Sequence, residues 1–295
     1  MDAEDIEIID DIVVTTPVGN FTKGQRIPAN TDLQALLIEM LSQDVNPTTS
    51  YPSHSISLSG AGAKEVGSTF YPSYTVSTDP GLYSANGEDQ ATNVTFSDFV
   101  VTEGTRPDSA ASATKTTDTG SFTHFVVTDT TNYNVKASVK HSAGDMPKTF
   151  LGKDYPAGQI EADTLDDVAS SSVTGYRPMF YGMTANTNAL DSAAIRGLTN
   201  SNGKPGAKTI TLKAADLAGV KRFIVAIPAS STVKLKKAII TSSQNADATA
   251  DYVLQDTQVN VEGASGYAIT KPYKVWIYEP ASIASVEVHE ITLGT

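Results

Sequence analysis

The stretch NYNVKASVKHS (132–142) alternates without a break. Tyr133, Val135, Ala137 and Val139 share one face, and Asn134, Lys136, Ser138 and Lys140 share the other. A period of two marks a β-strand buried on one side and wetted on the other. Similar runs recur at SHSISLS (53–59), PSYTVST (72–78), NVTFSDFVV (93–101) and SFTHFVVT (121–128). They return at KRFIVAIP (221–228), TVKLKKAIIT (232–241), DTQVNVEG (256–263), YKVWIYEP (273–280) and VEVHEITL (286–293). Turn signals such as DPG (79–81) and NGED (86–89) separate neighbouring runs. Each one-sided strand set must cover its apolar face, so the pattern predicts a mainly β chain of two antiparallel β-sandwich domains, immunoglobulin-like or jelly-roll-like. The Cys–Trp–Cys hallmark of true immunoglobulin domains is absent, because the chain has no cysteine.

A length of 295 residues accommodates two such domains. The expected division is an attachment segment over 1–47, a first sandwich over 48–175 and a second over 176–295. Charge changes along the same axis: residues 1–45 carry −7, residues 46–175 carry −8 and residues 176–295 carry +3. Such a gradient serves solubility, and it also suits head-to-tail contact between copies. The stretch 102–120 has almost no apolar residue and reads as an exposed loop. Residues 143–182 are punctuated by Gly and Pro and read as an extended connector, with Tyr176, Phe180 and Tyr181 packing where the domains meet. KAADLAG (213–219) reads as a short helical turn stopped by Gly219. SYPSHSISL (50–58) and FYPSYTVST (70–78) echo one another; two copies do not make a solenoid and read as paired strands of one sheet.

Against this β background, TDLQALLIEMLSQ (31–43) is the one long run of helical period. Leu33, Leu36, Leu37, Met40 and Leu41 form a single apolar stripe. Thr31 and Gln34 fit a capping box, and Pro28 and Pro47 bracket the run. Ahead of it, an acidic segment interleaved with Ile6, Ile8, Ile9, Ile12, Val13 and Val14 could add a strand to a sheet edge. PVGNFTKGQRIP then reads as a loop or short hairpin. The stripe must be buried, and the expectation is that it meets another chain as a subunit or partner interface, packing on residues 48–175 being the alternative.

Chemistry is sparsely signalled. A sequence pI near 4.7 argues against nucleic-acid binding, which needs clustered cations. Without cysteine there is no disulfide and no thiolate metal site. No run reaches the length of a membrane span. The acidic N-terminus lacks the pattern of a signal peptide, so synthesis in a cytoplasm without conventional export is expected. His54, His124, His141 and His289 are scattered without ligand spacing, and no nucleophile elbow, zincin motif or P-loop occurs. GAGAKEVG (60–67) follows a strand with no helix after it and reads as a turn. The carboxylate pairs Glu88–Asp89 and Asp166–Asp167 point to opposite faces if they lie on strands. NGEDQ is a remote calcium candidate. Trp276 and Tyr278 share a strand face and could stack a sugar, although an aromatic face is more often core or interface. The residues thus predict no enzyme, no cofactor and no metal.

GNFTKGQRIPANTDLQALLIEML (19–41) resembles a front module of tailed-bacteriophage structural proteins, in which a Gly- and Pro-framed stretch precedes an amphipathic helix and β-domains. The runs at 132–182, KRFIVAIPAS (221–230), QNADATADYVLQ (244–255) and YKVWIYEPASI (273–283) are similar to linker and terminal regions of such proteins. The resemblance implies a virion component, such as a fibre, decoration or baseplate-accessory protein. Its partners would be other virion proteins and further copies of itself, a trimer being favoured. The rival expectation is a carbohydrate-binding or adhesin module contacting a host-surface glycan through Trp276 and Tyr278 or the 102–120 loop.

Overall fold

The computed structural model describes residues 11–14, 23–29, 31–32, 36–37, 44–198 and 200–295, with backbone alone for 200–202. With 46% strand and 7% helix, the chain is mainly β. Among the described residues every strand pairing is antiparallel except that of Gly62–Glu65 with Val173–Tyr176. Among the described residues no sheet and no apolar cluster spans residues 177–178, so the strands fall into an N-terminal and a C-terminal group.

The N-terminal group is a sandwich of small sheets. A four-stranded sheet runs in the order Thr114–Lys115, Phe96–Glu103, Val135–His141, Asp163–Ala169. Facing it is a three-stranded sheet of Thr119–Ser121, Ser73–Asp79 and Ser53–Leu58. The inward residues Ile56, Leu58, Tyr74 and Val76 of the smaller sheet meet Val101, Val135, Ala137 and Val139 of the larger in one core. Burial in 135–141 alternates as the period-two pattern requires. The two echoing segments are indeed partners, with Ile56 opposite Val76.

The C-terminal group has three layers. A six-stranded sheet centres on Met179–Thr184, Arg222–Pro228 and Lys271–Tyr278, and a four-stranded sheet holds Lys208–Lys213, Val288–Gly294, Lys234–Ile240 and Ala246–Asp247. Phe223, Val225, Ile227, Trp276 and Tyr278 point into the core between the sheets. Ile224, Ala226, Tyr273, Val275 and Ile277 point the other way, into a second core with Ile195 and Leu198 of a short helical layer. A strand covered on both faces reads as a continuous apolar run, which is how FIVAI is written.

Several expectations are corrected. The stretch 143–182 is not a bare connector; it contains the strands Asp163–Ala169, Val173–Tyr176 and Met179–Thr184. DTLDDVA is an edge strand exposed along nearly its whole length, so it carries no apolar alternation, and its aspartates discourage pairing with another chain. KAADLAG holds only a single 3-10 turn, Ala214–Asp216, after which Leu217 is extended. The helix Ser192–Arg196 was not foreseen; Asp191 caps it by accepting from the Ala194 N–H at 2.8 Å. NGED forms a two-residue hairpin turn, with Asn86 and Gly87 both at positive φ (53° and 86°), the conformation an Asn-Gly pair tolerates best.

At the front, Ile12–Val13 pairs with Arg26–Ile27, and Asp11 forms an ion pair with Arg26. Leu36 and Leu37 are helical, and the Leu36 N–H donates to the Asp32 carbonyl at 2.9 Å. Leu36 is buried, whereas Leu37 is 44% exposed. Leu33, Gln34, Met40 and Leu41 lie outside the described residues. Asp44 and Val45 are already tied into the N-terminal group, accepting from Leu151 and Phe150.

Candidate functional site

The densest polar construction lies where the two strand groups meet. Arg177 sits between the last strand of the first group and the first strand of the second, and Pro178 after it disfavours a helical backbone there. Its Nε and Nη2 donate to the two carboxylate oxygens of Asp129, each at 2.8 Å. Nη2 also donates to the Ile269 carbonyl at 2.8 Å and Nη1 to the Val261 carbonyl at 3.4 Å, while the guanidinium lies 6.0 Å from the Tyr267 ring centre. One planar group thus joins a loop of the first group to two carbonyls of the second. A lysine, with its single point charge, could not reproduce the fork. The hydrogen bonds from Arg177 hold the Asp129 carboxyl below the usual carboxylate range, against the opposing effect of burial.

A second arginine repeats the arrangement. Arg196, at the end of helix 192–196, donates to Glu65 at 2.8 Å and to the Glu262 carbonyl at 3.1 Å, with its guanidinium 5.3 Å from the Phe180 ring. Between the two clamps the backbones touch directly: the Ala264 N–H donates to the Val66 carbonyl at 2.7 Å. Gly67, at φ +93°, allows that approach; a Cβ there would lie 2.4 Å from the Ala264 oxygen. The arrangement fixes geometry. All its charged groups are answered from within the chain.

Two further polar clusters sit inside the groups. In the first, the buried guanidinium of Arg106 grips Glu103 at 2.9 Å and forks onto Asp108 at 3.0 and 2.7 Å. It also donates to the Thr123 and His124 carbonyls, and Tyr133 donates to Glu103 at 3.0 Å. Arg106 therefore straps the start of the 102–120 stretch, expected to be an exposed loop, onto the core. In the second, His289 is fully buried among Phe223, Tyr252 and Tyr278. Burial pushes its pKa below the ordinary histidine value although Glu287 pulls the other way. A neutral ring fits the network: Nε2–H donates to Glu287 at 2.7 Å and Nδ1 accepts from the Tyr252 hydroxyl at 2.9 Å, a tautomer assigned from those partners. Burial also raises the Tyr278 pKa to about 12. The trio has the residue types of a catalytic relay, but the imidazole is sealed from solvent and both its nitrogens are engaged. It acts as a core hydrogen-bond bridge.

Among the described residues no group of three or more His, Asp or Glu is placed to hold a metal ion, and no helix is long and apolar enough to cross a membrane. A cavity of about 150 Å³ lies beside helix 192–196, lined by Thr184, Asn186, Asn188 and Leu190.

The sequence-derived residues are distributed unevenly around the clamp. Tyr176 closes the last strand of the N-terminal group and accepts from the Val66 N–H at 3.0 Å. Phe180 is buried in the core facing helix 192–196, under Arg196, and Tyr181 packs on the inter-sheet core. Trp276 and Tyr278 require a correction: each is 8% exposed and lies in the inter-sheet core, because their strand is the middle of a covered sheet. They offer no platform to a sugar. The residues that carry the junction, Arg177, Asp129, Arg196 and Glu65, went unremarked in the sequence. Only the Arg-Pro step after an apolar strand, GYRPMF, hints at them. The chain matches no protein-family model. No curated protein is significantly similar to it in sequence.

Proposed function

We propose that the chain is a non-enzymatic structural subunit, a stiff two-domain β spacer that attaches to a larger assembly through its N-terminal segment. The observation that supports this best is the double arginine clamp: two sandwiches joined by one forked and one single ion pair and a direct backbone contact suit a part that transmits position rather than one that opens and closes around a substrate. The tailed-phage particle is the setting implied by the sequence resemblance, with a fibre, decoration or baseplate-accessory role. The segment before residue 44 is the attachment element on this reading. It exposes Ile12, Val13 and Leu37 at 46%, 56% and 44% in the single chain, and the pairing of Ile12–Val13 with Arg26–Ile27 is too short to be stable without further packing.

The test is native mass spectrometry of the full chain beside a chain lacking residues 1–43, a cut that spares the contacts of Asp44 and Val45. The expected outcome is a defined oligomer for the full chain and a folded monomer for the shortened one. A full chain that stays monomeric at high concentration, or a shortened chain that assembles equally well, would overturn the attachment role.

A further inference from the structure

The echo between SYPSHSISL and FYPSYTVST has a geometric result. Strands 53–58 and 73–79 are antiparallel neighbours, so their two Tyr-Pro-Ser starts lie at opposite ends of one sheet face. Pro52, Ile56 and Leu58 point inward, as do Pro72, Tyr74 and Val76. The alternate residues point outward and form rows across the sheet. Ser59, Ser73 and Ser121 make one row, Ser57, Thr75 and Thr119 the next, then Ser55 with Ser77 and Ser53 with Asp79. Asp79 is the one charged side chain among these outward positions.

Tyr71, 69% exposed, stands at one end of this strip with its ring centre 5.2 Å from that of His124, the two planes at 35°. Tyr51, 70% exposed, stands at the other end. The strip is about 27 Å long from residue 71 to residue 79, and about 10 Å across its three strands.

We infer that this face binds an extended neutral glycan, laid along the strands with sugar rings stacked on Tyr71/His124 and Tyr51 and its hydroxyls bonded to the Ser and Thr rows. Charge selects the ligand class. The face has no cation to hold an anionic polymer, on a chain whose net charge is −12, and a polycation would find a single carboxylate. A chain of uncharged polyols matches a field of uncharged donors and acceptors. Aromatic rings supply the apolar contact for sugar C–H faces that hydroxyls cannot. This inference uses residues outside the N-terminal segment and outside the clamp, so it stands or falls independently of the structural role above.

The full-length protein is screened on an array of neutral oligosaccharides with glucose, galactose, mannose and N-acetylglucosamine backbones. The strongest binder is then titrated against wild type and variants. Saturable binding is expected, weakened roughly tenfold by Tyr71→Ala and by Tyr51→Ala, lost in the double variant, and unaffected by Trp276→Phe. Both tyrosines are mostly exposed, so the substitutions spare the fold, and circular dichroism checks this. Thr75→Lys in the middle strand should also weaken binding. No binding on the array, or full affinity in the double tyrosine variant, would overturn the assignment.

Discussion

In the C-terminal group the strands 222–228 and 271–278 bury apolar side chains on both faces, whereas in the N-terminal group the strands 53–58 and 73–79 bury one face and give the other to Ser and Thr. The consequence is a difference in what secures each sandwich. Three layers let the C-terminal group rest on area burial, roughly 1.5–3 kcal/mol for each large side chain taken from water. The thinner N-terminal group relies more on specific polar ties, above all the Arg106 strap over Glu103 and Asp108. Stability built from layers tolerates small losses gradually. Stability built from one buried ion cluster fails when a single partner goes.

The largest expected effect follows from that contrast. Arg106→Ala leaves the Glu103 carboxylate, 1% exposed, without its counter-charge, at a cost of about 3–5 kcal/mol. Hydrogen exchange read by mass spectrometry should show the N-terminal strands losing protection while strands 222–228 and 271–278 keep theirs. Equal loss in both groups would break the comparison. Next comes Gly67→Val, which forces a Cβ against the Ala264 carbonyl and strains a left-handed backbone, on the order of 1–3 kcal/mol. Its damage should concentrate at 66–67 and 264–267, sparing both cores. Smaller again is Ile224→Val in the layered group, about 0.5–1.5 kcal/mol, read as a modest shift in the thermal unfolding of that group alone.

The gentlest perturbation is the addition of a proton. His289 has a folded pKa below its ordinary value of about 6.5 because of burial. As the pH falls below about 6.5, the unfolded chain takes up a proton that the folded chain refuses. Stability of the C-terminal group therefore declines over that window and levels off below the folded pKa. Asp129 is lowered by its bonds to Arg177, so its contribution is present above its ordinary pKa of about 3.9 and is lost only as the pH falls below that, through the folded value. Near pH 5 the C-terminal core should be weakened with the clamp intact. Hydrogen exchange at pH 7 and pH 5 checks this, and His289→Gln should remove the difference.

The period-two runs made the mainly β class legible, because a one-sided strand cannot avoid writing its burial into the chain. Strand 163–169 escaped for the converse reason: as a wet edge strand it has no buried face to record. Trp276 and Tyr278 were placed on a common face correctly, but alternation alone does not say whether that face meets water or a second sheet. The helical stripe is described only at Leu36 and Leu37, one buried and one largely exposed. The clamp was illegible because Arg177, Asp129 and Ile269 meet only through the fold. The Tyr-Pro-Ser echo was visible, while its meaning needed the antiparallel pairing of its two copies.

On the proposed reading, the two sandwiches form one stiff body. The chain has no native cysteine, so spin labels at Ser77→Cys and Thr211→Cys, both exposed, report on it without background. Pulsed electron–electron resonance should give one narrow distance distribution for this pair, broadening when Arg177→Ala and Arg196→Ala are combined. A broad distribution with both arginines present, or an equally narrow one without them, would contradict the account.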